Sequence, residues 1–334
     1  MTPQSKMRLV LATGITFAIL FMFLAVRDAD ADVIAASLAA MDWRFVLPIA
    51  VALMLQFWFK ALRWQQLRSP FSSARTAEVF PATVVGYLAN LVLPLFLGEF
   101  ARVHILGKQL KLRYTPVLAT VVLERVFDFL SVLLVVGVVL ALEPRAPADL
   151  NMAGTVAGIV SVVLIAMLAA YLRWTGQLTA LILRLTSVLP ADSQQRIAEQ
   201  VKLGALGLQA VRNPRALPAI AAASLLQWGF MGLCIYFGML GTGIDVPVSA
   251  AFVVLALTVL GVTLPSSPGF FGTIQLCFTL GLAPFGVPVE QAFAASVLFH
   301  LTIYVTGWTT GLYFLRRSGL TLGGLKQAGM EQQT

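Results

Sequence analysis

Charged side chains sit in the middle of apolar runs long enough to cross a bilayer, and no other feature constrains this chain as tightly. Runs of the length that spans the hydrocarbon, about 17–25 residues or more, occur near 9–26, 45–62, 115–142, 152–172, 216–240 and 290–315. Two further apolar stretches, 79–97 and 249–285, are interrupted by Pro, Gly, Asn and Ser. Charged residues make up 11% of the chain against 59% hydrophobic, whereas a soluble domain carries roughly 25% charge. The solvent is therefore lipid, and an all-α polytopic membrane protein is predicted. The Leu9–Val26 run follows Lys6 and Arg8 and exceeds the 7–15 residues of a signal-peptide core. It reads as an uncleaved first helix, with Ala29-Asp30-Ala31 only a weak processing site. Cys234 and Cys277 lie in apolar runs and read as small core residues, neither a disulfide framework nor a metal site.

The cations orient the chain. With a cytoplasmic N-terminus, only Arg27, Arg44 and Arg145 of the 23 Lys and Arg fall outside, and Arg125 falls within a helix. That asymmetry is the positive-inside pattern. It accounts for the net charge of +8 through attraction to anionic lipid, with no need of nucleic acid. The assignment holds only if both interrupted stretches are re-entrant hairpins, the first from the cytoplasm and the second from outside. Such backbone is tolerated only against protein or a polar cavity. The chain then divides into halves of opposite orientation, about 1–145 and 150–316. Each has three spanning helices, an amphipathic linker (27–44, then 174–213) and one broken hairpin. The whole of 1–316 is one domain, followed by a cytoplasmic tail, 317–334. This is the inverted-repeat plan that places substrate sites by the broken helices. A bacterial-type inner membrane with both termini cytoplasmic follows.

Three clusters carry the polar chemistry. The first hairpin holds Asn90, Pro94, Gly98, Glu99 and Arg102. Its first arm, at 1.5 Å per residue, reaches roughly 18 Å inward, so the break at Asn90–Pro94 falls near the midplane. Gly98 permits a turn or a close approach. Glu99 and Arg102 share a helical face, as a structural pair or as a cavity in which Arg102 meets a lipid phosphate. The run 115–142 holds Glu124, Arg125 and Asp128. Three central charges cost about 9 kcal/mol on the insertion scale, and the 18 Leu, Ile, Val and Phe residues return about 8. The charges must therefore face the bundle and pair, Arg125 reaching Asp128. Intramembrane ionisable groups are functional candidates by default. The second hairpin holds Pro265, Pro268, Gly269, Gly272 and Gln275, echoing the Pro-x-x-x-Gly spacing of the first, and His300 lies deep in the last helix. Trp43, Trp64, Tyr114, Trp174 and Tyr313 sit near segment ends, where interfacial anchoring explains them. His104, in a basic segment, reads as unremarkable.

These motifs resemble the flippase-like transmembrane domain of the lysylphosphatidylglycerol synthase family. The likeness rests on Asn90…Pro94…Gly98-Glu99-x-x-Arg102, on Glu124-Arg125-x-x-Asp128, and on the Leu-Pro-x-Ser-x-Gly-x-x-Gly run from Leu264 to Gly272, and spans about 8–316. The resemblance implies a domain that exposes aminoacylated phospholipids on the outer leaflet or, in relatives, handles polyprenyl-linked glycolipids. In the synthases an aminoacyl transferase follows. The short segment after Leu315 leaves no room for one, so this chain is expected not to synthesise the lipid. Gln275 stands where the family has Glu, and His300 where Arg is expected. A neutral hydrogen-bonded pair in place of an ion pair would account for both.

The expected function is lipid translocation of an anionic phospholipid or polyprenyl-linked lipid, without enzymatic activity. Asn90, Glu99, Arg102, Glu124, Arg125, Asp128, Gln275 and His300 would form the substrate site. Arg102 and Arg125 would contact phosphate, and the three carboxylates would orient them and any cationic headgroup. The first alternative is an accessory subunit of a separate lipid-modifying enzyme. The second is a membrane-embedded transferase: Glu124 and Asp128 at i,i+4 are spaced to share a metal, but the intervening Arg125 favours ion pairing. Neither cofactor nor metal is expected, and the absence of a Gly-Lys-Ser/Thr phosphate loop argues against direct ATP drive.

Overall fold

A computed structural model describes residues 3–92, 97–110, 112, 114–142, 148–185, 209–211, 213, 215–263 and 268–318, and every element among them is helical. Four helices are long and apolar enough to span a membrane: Trp43–Arg68, Thr115–Leu142, Leu217–Leu240 and Val289–Arg317. They coincide with four of the six expected crossings. A fifth arises if the first helix and its continuation, bent by 91°, count as one span.

Helix α1 (Pro3–Val26) ends in that bend, and α2 (Ala31–Ala39) leaves it because Asp30 caps the new helix. The Asp30 carboxylate accepts from the N–H groups of Asp32 and Val33, at 2.8 and 3.3 Å, two of the donors a helix start leaves orphaned. Asp42 caps the short turn Trp43–Phe45 in the same way, accepting from Arg44 N–H at 2.9 Å. Helix α3 (Val46–Arg68) follows. The expected 27–44 linker is thus a capped helix set at right angles to the first crossing.

Helices α4 (Thr76–Val92) and α5 (Leu97–Leu110) form an antiparallel hairpin. Its register is fixed by contacts of Asn90 with Gly98 and of Gly86 with Arg102. Pro94 lies outside the described residues. Asn90 does not break the chain, as the sequence reading had it. It lies inside α4, and its Oδ1 accepts the Gly98 N–H at 2.8 Å, capping α5 from across the hairpin. Of the two roles expected for Gly98, a turn or a close approach, the second holds. A Cβ there would overlap the Gly86 carbonyl and the Asn90 amide, so its role is close approach.

Helix α6 (Tyr114–Leu142) and α7 (Ala148–Leu185) pack along each other. Gly137, Gly154 and Gly158 make that contact intimate. At 38 residues α7 is about 57 Å long, so it runs beyond the expected 152–172 crossing into the stretch read as a linker. Helix α8 (Leu217–Leu240) packs chiefly on α3.

Helices α9 (Val248–Gly261) and α10 (Thr273–Leu282) form a second hairpin. A hydrogen bond from the Cys277 thiol to the Leu257 carbonyl, 3.3 Å, helps close it. Pro265 lies outside the described residues. Pro268 opens a 3-10 turn, Pro268–Phe270, with Gly269 at φ +78°, Phe270 at φ +62° and Gly272 at φ +79°. The expected break is therefore present at these residues. Phenylalanine in the left-handed region costs about 1–2 kcal/mol, a strain the surrounding helices hold in place. Gly272 is also where α1 docks, since a Cβ would overlap the Ala18 carbonyl. Helix α11 (Val289–Arg317) closes the bundle.

The two hairpins meet, because α4 packs against the 268–270 turn and along α11. Tyr87 fits over Gly307, and Leu88 over Gly311. At one end of the bundle the Gln109 amide donates to Ser318 Oγ at 3.5 Å. At the other, Asp30 N–H donates to Glu290 at 3.2 Å and Asp42 N–H to the Gly241 carbonyl at 2.7 Å. Both cysteines are free and buried.

Candidate functional site

Helices α3, α5 and α6 bring six ionised side chains into one closed ring. Arg63 reaches Asp128 at 2.7 Å and Glu124 at 3.3 Å. The other Glu124 oxygen meets Arg102 at 2.5 Å, and Arg102 meets Glu99 at 2.5 Å. Arg125 then bridges Glu99 and Asp128, each at 3.1 Å. Every cation touches two carboxylates and every carboxylate touches two cations, so the ring is neutral as a whole. The two shortest links are charge contacts whose alignment falls outside hydrogen-bond geometry.

Local structure explains how the ring assembles. Glu99 stands in the first turn of α5, where the helix dipole favours an anion, and Arg102 is its i+3 neighbour. Helix α6 places Glu124 and Asp128 one turn apart on its inward face. From the second half, α8 braces the ring: Gln227 Nε2 and Trp228 Nε1 donate to Asp128 at 3.2 and 3.1 Å. Ser224 Oγ accepts from Arg63 at 3.5 Å. The side chains of Arg63 and Glu124 have no exposure, and Arg102 has 2%. Arg125 differs, with 47% of its side chain exposed. The expectation that all three α6 charges face inward is therefore corrected for Arg125, whose i,i+1 position beside Glu124 turns it toward the rim.

Two residues were misread from sequence. Arg63, counted there among the cytoplasmic cations, is the ring's most buried cation. It sits five residues, about 7 Å, before the end of α3, because α3 continues helically past the apolar run that ends near 62. The available signal was the single face carrying Gln56, Lys60, Arg63, Trp64 and Leu67 at helical spacing. Trp64 is no interfacial anchor: it is fully buried. Its indole N–H donates to Thr120 Oγ1 at 3.0 Å, and the Arg102 guanidinium lies over its ring at 4.5 Å. Trp43, Trp174 and Tyr313 are exposed as anchors should be.

The remaining sequence-named residues form a separate neutral cluster at the second hairpin. Gln275 Nε2 meets His300 Nδ1 at 3.1 Å, and His300 Nε2 meets the Gly269 carbonyl at 2.8 Å. A carbonyl only accepts, so Nε2 carries the proton and Nδ1 accepts from the amide, which makes the imidazole neutral. Gln275 Oε1 in turn accepts the Gly272 N–H at 2.8 Å. The pair thus pins both left-handed glycines of the turn. Phe271 and Tyr304 pack against the imidazole, with centroids 4.8 and 6.1 Å away. Gln275→Ala would strand a buried imidazole nitrogen and the Gly272 N–H, and is expected to lower stability by about 1–3 kcal/mol. Thermal unfolding in neutral detergent would measure it.

Comparison with known proteins identifies the family. Residues 10–311 match the family model described as the lysylphosphatidylglycerol synthase TM region. The chain is 31% identical over 104 residues to phosphatidylglycerol lysyltransferase of Bacillus subtilis (strain 168), covering 31% of this chain and 12% of that protein. It is 24% identical over 332 residues to the glycosyltransferase AglD of Haloferax volcanii, covering 89% of this chain and 53% of that protein. The chain thus spans about half or less of the length of these curated relatives. No solved structure matches it. A multi-pass helical protein whose matched region contains both hairpins, the ring and the Gln275–His300 pair, this chain belongs to the lysylphosphatidylglycerol synthase transmembrane-region family.

Proposed function

We propose that this chain moves a lipid with a phosphate-bearing polar headgroup between the leaflets of the cytoplasmic membrane, without making or breaking the lipid's covalent bonds. The observation that carries the reading is the closed ring with one half-exposed member, Arg125. A buried ring of paired charges would serve as a mere brace if all its members were sealed. Arg125 instead holds Glu99 and Asp128 through Nη2 while about half of its side chain stays exposed. Its Nε and Nη1 remain as donors for a lipid phosphate. A cationic headgroup group takes the carboxylate oxygens that Arg125 releases. The acyl chains stay in lipid throughout, so only the headgroup needs the polar path.

The topology supporting this reading is an inverted repeat, with α4–α5 and α9–α10 as re-entrant hairpins. In its favour, α3 and α8, the second helices of the two halves, pack on each other. The Gln109–Ser318 contact and the Asp30–Glu290 contact mark opposite ends of the bundle. Arg68, Lys108, Arg316 and Arg317 belong to the first of these ends, which on the positive-inside rule is cytoplasmic. The lipid is an anionic phospholipid or a polyprenyl-linked one.

The test uses the purified full chain in liposomes holding fluorescent lipids with phosphate-bearing headgroups, read by a membrane-impermeant quencher. Arg125→Ala and Glu99→Gln are expected to slow leaflet exchange at least tenfold. Arg125→Ala should also cost less stability than removing the fully buried Arg63, since Arg125 itself is half exposed. Exchange that survives both substitutions would refute the assigned path. A wild-type chain that exchanges no lipid would instead favour an accessory role beside a lipid-modifying enzyme.

A further inference from the structure

At the edge of the ring, among the described residues, two guanidinium groups keep buried donors that have no acceptor. Arg68, at the last residue of α3, is fully buried. Among the described residues it makes one side-chain hydrogen bond, from Nη1 to Ser72 Oγ at 3.1 Å, and no ion pair with a carboxylate. Its Nε and Nη2 are buried and unpartnered. Arg102, also buried, turns its Nη2 to the ring but leaves Nε and Nη1 unpartnered. Both guanidinium groups pack on the same indole, Arg68 at 5.4 Å and Arg102 at 4.5 Å from the Trp64 ring.

This arrangement is not self-sufficient. The six ring members cancel, so among the described residues Arg68 is a further buried cation with no carboxylate in contact, Glu124 and Glu78 acting on it only from a distance. A desolvated guanidinium without an anion costs several kcal/mol, and each buried N–H left unpaired adds to the cost. The Trp64 face offsets part of the charge through its quadrupole but satisfies no N–H. Arg68 Nε and Nη2 lie along one edge of their guanidinium and match two oxygens of a tetrahedral oxyanion, and Arg102 Nε and Nη1 are further buried donors beside the same indole. The turn after Arg68 is open to the surface at Ser69 and Pro70, and the Ser72 hydroxyl accepts from the Arg68 guanidinium.

We infer that Arg68, Arg102 and the Trp64 face form a binding site for a phosphate-type oxyanion, distinct from the Arg125 rim. The inference stands independently of lipid transfer, because it rests on unmet hydrogen bonding and surplus charge. The phosphate belongs either to a lipid headgroup or to a free phosphate compound, and the chemistry of the site is the same for both.

Thermal unfolding of the full chain separates these sources. In neutral detergent, inorganic phosphate is titrated against chloride at matched ionic strength. In nanodiscs, phosphatidylcholine alone is compared with phosphatidylcholine containing phosphatidylglycerol. A ligand that binds only the folded chain raises its melting temperature with concentration. A rise with inorganic phosphate, abolished in Arg68→Gln and weakened about tenfold in apparent affinity in Arg68→Lys, supports the site and a free phosphate source. A rise only with phosphatidylglycerol, with the same dependence on Arg68, supports the site and a lipid source. Without any anion, Arg68→Gln is expected to melt at or above wild type, since it removes the surplus charge. A lower melting temperature with an unchanged anion response would assign Arg68 a packing role alone and overturn the inference. So would the absence of any response in both media.

Discussion

Arg63→Ala is expected to destabilise the chain by about 3–5 kcal/mol, the largest effect of any single substitution in the ring. The magnitude follows from what is left behind. Arg63 is the cation that joins Glu124 to Asp128 with no exposure, so its removal leaves two buried carboxylates each short of a partner. Asp128 keeps Arg125, Gln227 and Trp228, and among the described residues Glu124 keeps only Arg102. Adding Glu124→Gln to Arg63→Ala should therefore recover part of the loss, and the coupling in a double-mutant cycle should exceed 1 kcal/mol. Equilibrium unfolding in detergent measures all four proteins. A cost for Arg63→Ala no greater than that for the half-exposed Arg125→Ala would refute the closed ring.

Gly98→Ala is the second large effect, expected to cost about 1–3 kcal/mol and to disturb the ring as well. The new methyl would press on the Gly86 carbonyl, which is backbone and cannot rotate away, and on the Asn90 amide that caps α5. Spreading the hairpin moves Glu99 and Arg102, one and four residues on, away from α6. Lipid exchange should therefore fall together with stability. Gly229, with open space around its Cβ position, is the control. Gly229→Ala in the interior of α8 should stabilise the chain by up to about 1 kcal/mol. Equal destabilisation at both positions would mean that close approach at Gly98 is not the cause.

What could be read from the sequence was decided by solvent and periodicity. Four spanning helices and the pairing of Glu99 with Arg102 and of Arg125 with Asp128 follow from hydropathy and local spacing, whereas the joining of Gln275 to His300 came from the family resemblance, in which Glu and Arg stand at these two places. Arg63 and Trp64 escaped because hydropathy ends a span where charges begin, and a helix does not. Backbone hydrogen bonding carried α3 past residue 62, and that extra turn put Arg63 beside a helix 61 residues away. Asn90 was misread for a related reason. As an i+8 acceptor for Gly98 it caps across a turn, and a linear scan sees only a helix-breaking residue type near Pro94. The braces from α8, at separations near 100 residues, left no local trace.

Those braces have a mechanical meaning. Asp128 belongs to the first half of the chain, yet two of its hydrogen bonds come from the second, so the two halves are wired together electrically as well as packed. Moving α8 away from α6 by about 1 Å stretches donors now at 3.1–3.2 Å beyond hydrogen-bond length, leaving Asp128 to lean harder on Arg63 and Arg125. Rocking of one half against the other would thus tighten or loosen the grip on Arg125, coupling domain motion to the rim.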